Sequence, residues 1–502
     1  MSDLHFPWLE SAILVPLLGA LWLAVTGSGT KALRLVVVLC TITFLLTCGE
    51  LVDFLVLGTF EAHDRWPVVH WVFHPDTFVV DELSTFLLPL AALIYLVTIA
   101  ATLRTKIARF SLTSALLSEA LLLTIFSCRA SWILVLVLVL STIPPYIELR
   151  QRKRCARIYV WHMALFAALL LTGWGWLQLI GSDASMAIVP VLLLTGAGLL
   201  RSGIVPLHLW MVDLFEKASL GTAILATTPL VGAYIVMRLV LPIAPTWALQ
   251  SIVIVSLVTA VYSSGIALVQ REARRMFCYV LLSQASLVLV GLELDTPISL
   301  TGALCVWLSV GLSLTGFGIS LRSIESRIAR ISLAEFHGLY SQMPMLAGFF
   351  LLTGLASIGF PATVGFVGME LLIDGAVEFY PLVGTLVVMA AAFNSIAVMK
   401  TYFRIFTGRR YPTSIPMRAR PGEVFAILTL SILILGGGLW PQPSIASRYH
   451  AAKELTQQRR HSSLKDQSPS PENRKLSIQA TVPSTLPPDV RIGEKQIHVI
   501  TN

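Results

Sequence analysis

The feature that most constrains this chain is a succession of apolar runs, each about 17–25 residues long, separated by short polar stretches. A helix of that length crosses the ~30 Å hydrocarbon core of a bilayer. Within that core only helices and closed barrels leave no backbone polar group unpaired. Composition agrees: 56% of the 502 residues are hydrophobic and 13% are charged, whereas a soluble domain carries roughly 25% charged residues to face water. The first run, Trp8 to Thr26, lacks a basic leader and reads as a mature helix rather than a cleaved signal. An all-α, polytopic membrane protein is the expected fold class.

The runs predict about fourteen helices, near 8–26, 34–58, 82–103, 110–128, 131–148, 158–180, 186–216, 219–240, 250–270, 275–293, 300–321, 343–378, 382–405 and 423–441. Two of these are interrupted, the seventh around Gly203–Pro206 and the twelfth at Gly359-Phe360-Pro361. Proline removes a backbone donor and glycine weakens a helix, so both sites free backbone groups at membrane depth, where only protein or water satisfies them. Two similarly broken helices, five helices apart, point to a transporter core of inverted repeats. The expected organisation is three N-terminal helices (1–105), one five-helix repeat (106–245), a second (246–410), a last helix (411–444) and a tail (445–502). The tail is rich in Ser, Pro, Gln and charge and is expected to be disordered.

A net charge of +8 would suggest nucleic acid in a soluble protein. Here the cations gather in alternate loops, at Lys31/Arg34, Arg104/Lys106/Arg109, Arg150–Arg157, Arg271/Arg274/Arg275, Arg322/Arg327/Arg330 and Arg404/Arg409/Arg410. The positive-inside rule makes that side cytoplasmic, so both termini are expected outside a bacterial-type inner membrane, and no nucleic-acid partner is implied. The six cysteines are scattered, mostly within apolar runs, without CxxC or Cys/His spacing, and read as small packed apolar residues. No nucleotide-binding glycine motif or catalytic constellation is evident, so no cofactor is expected and any redox centre would belong to a partner. The loop over 59–81 holds His63, His70 and His74 with Asp64 and Asp76; irregular spacing and aromatic neighbours favour an interfacial segment over a metal site.

Five stretches between about 78 and 410 carry a family likeness. Val80-Asp81-Glu82-Leu83-Ser84 resembles a "VDGLS" helix start, and Gly203 to Trp210 with Asp213 resembles "KxPxxPLHxWLPDA". Glu272-Ala273-Arg274-Arg275 with Tyr279 and Ser283-Gln284 is similar to "DxKRxxAYSSxSQ". Gly311-Leu312-Ser313 with Gly316 resembles "HGLSxxG", and Gly359 to Phe366 resembles "GxPxTxGF". In this order they resemble the antiporter-like membrane subunits of respiratory complex I (the NADH-quinone oxidoreductase L, M and N chains) and of Mrp-type Na+/H+ antiporters. The resemblance implies proton passage along buried Glu, Lys and His groups, coupled to other membrane subunits.

Residue by residue, most of that relay is replaced. The family's fifth-helix glutamate falls near Val139, and its seventh-helix lysine aligns with Arg201, which burial does not readily neutralise. The eighth-helix position falls near Leu230 or Ile224, the histidine of the "HGLS" helix at Val310, a following lysine at Leu314, and the twelfth-helix charge at Met369. The ion-path candidates that remain are Glu119, Arg201, His208, Asp213, Glu370 and Lys400, with Glu216 and Lys217 nearby. A Glu119–Arg201 ion pair could stand in for the family's Glu–Lys pair. His208 is expected to bond backbone freed at its break, and Lys400 to snorkel toward the cytoplasmic face. The function implied is that of a membrane subunit in a proton- or cation-translocating complex. The alternatives are a non-conducting scaffold subunit and a membrane partner in ion-driven uptake of a small solute such as inorganic carbon.

Overall fold

In the computed structural model, the described residues are 2–27, 30–64, 77–102, 110–180, 188–294, 296–409 and 417–467. The apolar runs form helices, but the chain is not wholly α. A small sheet of order β1-β2-β3 joins β1 (Ser2–Asp3), β2 (Glu61–His63) and β3 (Val79–Asp81), parallel in its first pair and antiparallel in its second. It ties the chain start and the described ends of the long early loop together; His70, His74 and Asp76 lie outside the described residues. Among the described residues no group of three His, Cys, Asp or Glu could hold a metal ion.

Helices α1 (Trp8–Thr26) and α2 (Thr30–Leu57) precede the last two strands, and α3 (Leu87–Ala100), α4 (Leu112–Ser127), α5 (Ser131–Leu140) and α6 (Ile143–Gln151) follow. The third helix begins five residues later than its apolar run suggests. Asp81 Oδ1 accepts bonds from the Ser84 amide and hydroxyl, both at 2.9 Å, which holds residues 81–84 in a turn. Next come α7 (Arg157–Ile180), α8 (Ile188–Ser202), α9 (Leu209–Lys217), α10 (Leu220–Thr227) and α11 (Val231–Ile235), which continues as a π-helical turn, Val236–Val240. The remainder is α12 (Thr246–Val269), α13 (Ala273–Glu293), α14 (Pro297–Ile328), α15 (Pro344–Ser357), α16 (Val364–Phe379), α17 (Pro381–Phe406), α18 (Pro421–Leu439) and α19 (Gln442–Gln467). Among the described residues, ten helical segments are long and apolar enough to cross a membrane, and α3, α4, α8 and α15 are shorter apolar helices.

Burial sorts these helices by depth. The apolar stretch of α13 is 100% buried and that of α14 is 89% buried, whereas α2 buries 28% and α7 22%. A helix apolar all round and covered all round forms the centre; one that leaves Leu18, Leu21, Trp22 and Val25 exposed, as α1 does, offers that face to lipid. Close backbone approach locks α14 to α16: a Cβ at Gly302 would lie 2.4 Å from the Leu372 amide nitrogen.

Both predicted breaks are present, between α8 and α9 and between α15 and α16. Each turns at a glycine with left-handed backbone, Gly203 at φ +78° and Gly359 at φ +82°, a conformation that Cβ-bearing residues adopt only at a cost. A third break, not anticipated, separates α10 from α11 at Thr228-Pro229-Leu230, with Leu230 at φ +53°. There the Trp307 indole N–H bonds the Pro229 carbonyl at 3.2 Å.

The expected disorder from residue 445 is corrected over its first part. Helix α19 runs through Gln467, and residues 468–502 lie outside the described residues. Composition misleads here because one buried contact anchors the segment. Arg448, 1% exposed, donates to the carbonyls of Glu82 (3.1 Å) and Leu83 (3.2 Å) and sits 4.2 Å from the Phe86 ring centre.

Candidate ion-path site

Several buried polar groups of the N-terminal half lie at the first break and on the helices around it. Gly203 and Pro206 interrupt the ladder after Ser202, which leaves the Leu200 carbonyl only a turn bond from the Gly203 amide at 3.1 Å and leaves the Val205 amide without a helical acceptor. Trp210 Nε1 donates to the first at 2.9 Å and Thr259 Oγ1 accepts from the second at 3.2 Å. His208 adds a backbone hydrogen bond to Pro206 within the same break, as expected of it. His208 itself is 6% exposed, lies 6.0 Å from the rings of Tyr262 and Tyr279, and has no partner on Nδ1.

Glu119, on α4, is fully buried. Its Oε2 accepts from the Cys40 thiol at 3.1 Å and its Oε1 has no partner. Arg201, in the last turn of α8, is 5% exposed and rests 5.3 Å above the Trp210 ring, with Nε unpaired. Among the described residues the two form no ion pair, so the expected Glu119–Arg201 bridge is absent. The Tyr95 hydroxyl bonds Ser118 at 2.6 Å and lies within electrostatic reach of both Glu119 and Arg201. Two small voids adjoin this arrangement. One of about 10 Å³ touches Ser118 and Ala226, and one of about 20 Å³ touches Ala226 and Arg201. A void needs roughly 10–15 Å³ to hold one water, so each has room for a single water and neither for a file of them.

The other candidates are dispersed. Asp213 is held by Lys217 at 2.5 Å within α9, and Glu216 is paired with Arg275 of α13. Lys400 Nζ donates to the Leu268 carbonyl at 2.7 Å and so caps the last turn of α12. Glu370 was expected among the buried charges, yet it faces outward, because Met369 takes the inward position on α16.

Several participants escaped the sequence reading. Cys40 is no mere apolar filler, since it is the one hydrogen-bond partner of Glu119. Arg238 bonds both oxygens of Asp81, at 2.6 and 2.7 Å, and thereby joins the α3 entry turn to the π-helical turn. In the C-terminal half a group of buried polar side chains on α12, α13 and α17 is uncharged. Asn394 donates to Ser283 at 2.9 Å, Ser283 donates to the Ala260 carbonyl at 2.9 Å, and the fully buried Gln284 carboxamide has no protein partner. A spacing of three or four residues among Ser256, Thr259 and Ser263 was the available signal.

Comparison with known proteins agrees with this architecture. Residues 158–394 match the family model described as NADH:quinone oxidoreductase/Mrp antiporter, TM. NADH-quinone oxidoreductase subunit M of Rickettsia typhi is 28% identical over 257 residues, 50% of this chain and 52% of the relative. The chain thus spans about half the length of the curated relatives it matches. Among solved structures, a chain of respiratory complex I from Thermus thermophilus superposes with a TM-score of 0.77 at 19% identity, over 90% of this chain and 99% of that one. A chain of the Mrp complex from Dietzia sp. DQ12-45-1b gives 0.76 at 18%, over 89% and 97%. Residues 158–394 thus resemble the complex I/Mrp antiporter family, and the chain shares the multi-pass fold of such antiporter-like subunits.

Proposed function

We propose that this chain is a membrane subunit of a multi-subunit complex and moves protons or cations by a rebuilt route through Glu119, Tyr95 and Arg201. The observation that carries the reading is Glu119: a fully buried carboxyl with one thiol partner and one free oxygen. An intramembrane acid so poorly bonded is expensive to keep and marks function by default. The ten long and four shorter apolar helices support a fourteen-span count. The broken pairs α8–α9 and α15–α16 support two inverted five-helix repeats over 106–245 and 246–410. Loop charge supports both termini on the outer side. Complex I and the Mrp complex, which share the fold, support further membrane subunits as partners.

A non-conducting scaffold is the second reading, and α5 favours it. Its buried face is Ile133, Leu134, Val135, Val137 and Leu138, with no ionisable group where the family resemblance implies a glutamate. Proton flux into liposomes containing the purified native complex separates the two. Glu119→Gln keeps the volume and removes the titrating proton, and Tyr95→Phe removes the Ser118 bond. Loss of most of the flux in both variants, with assembly unchanged, is the expected result. Wild-type flux in both would leave the scaffold reading standing.

A further inference from the structure

A cavity of about 430 Å³, separate from the Glu119 site, lies where α3, α6, α10, α13, α14 and α18 begin or end. Its walls carry Arg152, Arg154, Arg274, Arg322, Arg327 and Arg330, against the two carboxylates Glu325 and Glu423. Those carboxylates are already engaged. Glu325 bonds Arg274 at 2.7–3.0 Å, and Glu423 bonds Arg327 at 2.6 and 3.0 Å. The acids that the other cations reach are farther off or already engaged. Arg152 and Arg330 approach Glu148 and Glu272 only to 3.9 Å, and Glu148 is occupied by the Ser219 amide at 2.8 Å and by the Thr222 hydroxyl. Arg154 is exposed, with no acidic partner among the described residues.

Arg322 is the most telling of them. It is part-buried and donates to the Thr98 carbonyl and the Thr102 hydroxyl, each at 3.0 Å, and it lies 5.2 Å from the Phe110 ring centre. All these hydrogen-bond partners are neutral, and the carboxylates in its electrostatic reach, Glu148 and Glu423, are already bonded elsewhere, so its charge is only partly compensated in a confined space beside other cations. Removing a cation from water without an opposing charge is costly, and like charges around one cavity add to that cost. An anion seated among them removes both penalties. Guanidinium groups present paired donors that match phosphate oxygens.

We infer that this cavity binds a phosphate-bearing anion, with the headgroup of an anionic phospholipid as its source. Two observations favour a lipid over free phosphate. The lining residues sit in the terminal turns of membrane-length helices, at Arg327 of α14, Arg274 of α13 and Glu423 of α18, which is headgroup level. Ala101, Phe110 and Leu220 add apolar wall beside the cations. The site is independent of whether the chain conducts.

Thermal unfolding of the purified full-length chain in neutral detergent tests it, with phosphatidylglycerol, phosphatidylcholine or inorganic phosphate added. Phosphatidylglycerol raises the midpoint and phosphatidylcholine does not, and the lipid is retained in native mass spectra. Arg154→Gln, at an exposed position where folding is not at risk, and Arg322→Gln each weaken the lipid's apparent affinity at least tenfold. Arg129→Gln, at the exposed cation paired with Glu61 on α4's other end, leaves it unchanged. Stabilisation by inorganic phosphate alone would keep the phosphate site and overturn its lipid source. Equal stabilisation by both phospholipids, no stabilisation by any anion, or full retention of binding in both cavity variants would overturn the site.

Discussion

At the scale of single residues, the pairing with the sharpest consequence is Asp81 with Arg238. Burial alone would raise the Asp81 carboxyl, but the guanidinium and the two Ser84 bonds outweigh it and hold the group below its ordinary 3.8. A lowered carboxylate contributes stability that is complete above its unfolded value and lost as pH falls through the folded one. Asp81→Asn should therefore lower the thermal midpoint at neutral pH, by the order of 3–5 kcal/mol that breaking a buried pair costs. The gap to wild type should narrow as pH falls from 3.8 toward and through the lower folded value, where the wild-type carboxylate is protonated in turn. A constant gap from neutral pH to pH 3 would refute the assignment. The sequence showed Asp81 within its motif but not this partner, because 157 residues separate the two and no local spacing encodes the contact. The same holds for Cys40 and Glu119, 79 residues apart. Residue types and burial were readable at both sites; who meets whom was not.

At the scale of elements, hydropathy made the helices legible and Gly-Pro pairs made two of the breaks legible, since both signals act within one or two turns. The break at Pro229 went unread because no glycine accompanies it and the left-handed residue is Leu230, held in place by contacts from α14. Helix contact through glycine was equally hidden. Gly302 of α14 meets the α16 backbone, with a Cβ reaching to 2.4 Å of the Leu372 nitrogen, whereas a Cβ at Gly265 of α12 would meet nothing within 4 Å. Overpacking a tight contact costs typically 1–3 kcal/mol, and backbone cannot yield as a side chain does. Gly302→Ala should depress the thermal midpoint in detergent by about that amount, while Gly265→Ala should leave it within about 0.5 kcal/mol. Equal midpoints for the two variants would mean that α14 and α16 are not locked by this approach.

At the scale of the whole molecule, α16 is the helix least suited to lipid. Glu370, Asp374 and Glu378 recur every fourth residue, which places them on one face, and all three are exposed and, among the described residues, without an ion pair. An aspartate at the centre of a spanning helix costs about 2.5–3.5 kcal/mol to insert, so three carboxylates are poorly matched to acyl chains. The burial of Met369 instead of its neighbour is what turns Glu370 outward. A neighbouring subunit that offers cations or polar groups would cover this face, which accords with a fold found in chains of multi-subunit complexes. Reversing Glu370 and Asp374 to lysine together should release the chain from its native complex on a native gel. The isolated chain should keep its own thermal midpoint, because neither side chain has a partner within it. Neutralising the pair to Gln and Asn should weaken the complex less than reversal does, since it removes attraction without adding repulsion. A complex that survives the reversal intact would place its interface elsewhere. A monomer stabilised by neutralisation, with assembly untouched, would mean that these carboxylates face lipid after all.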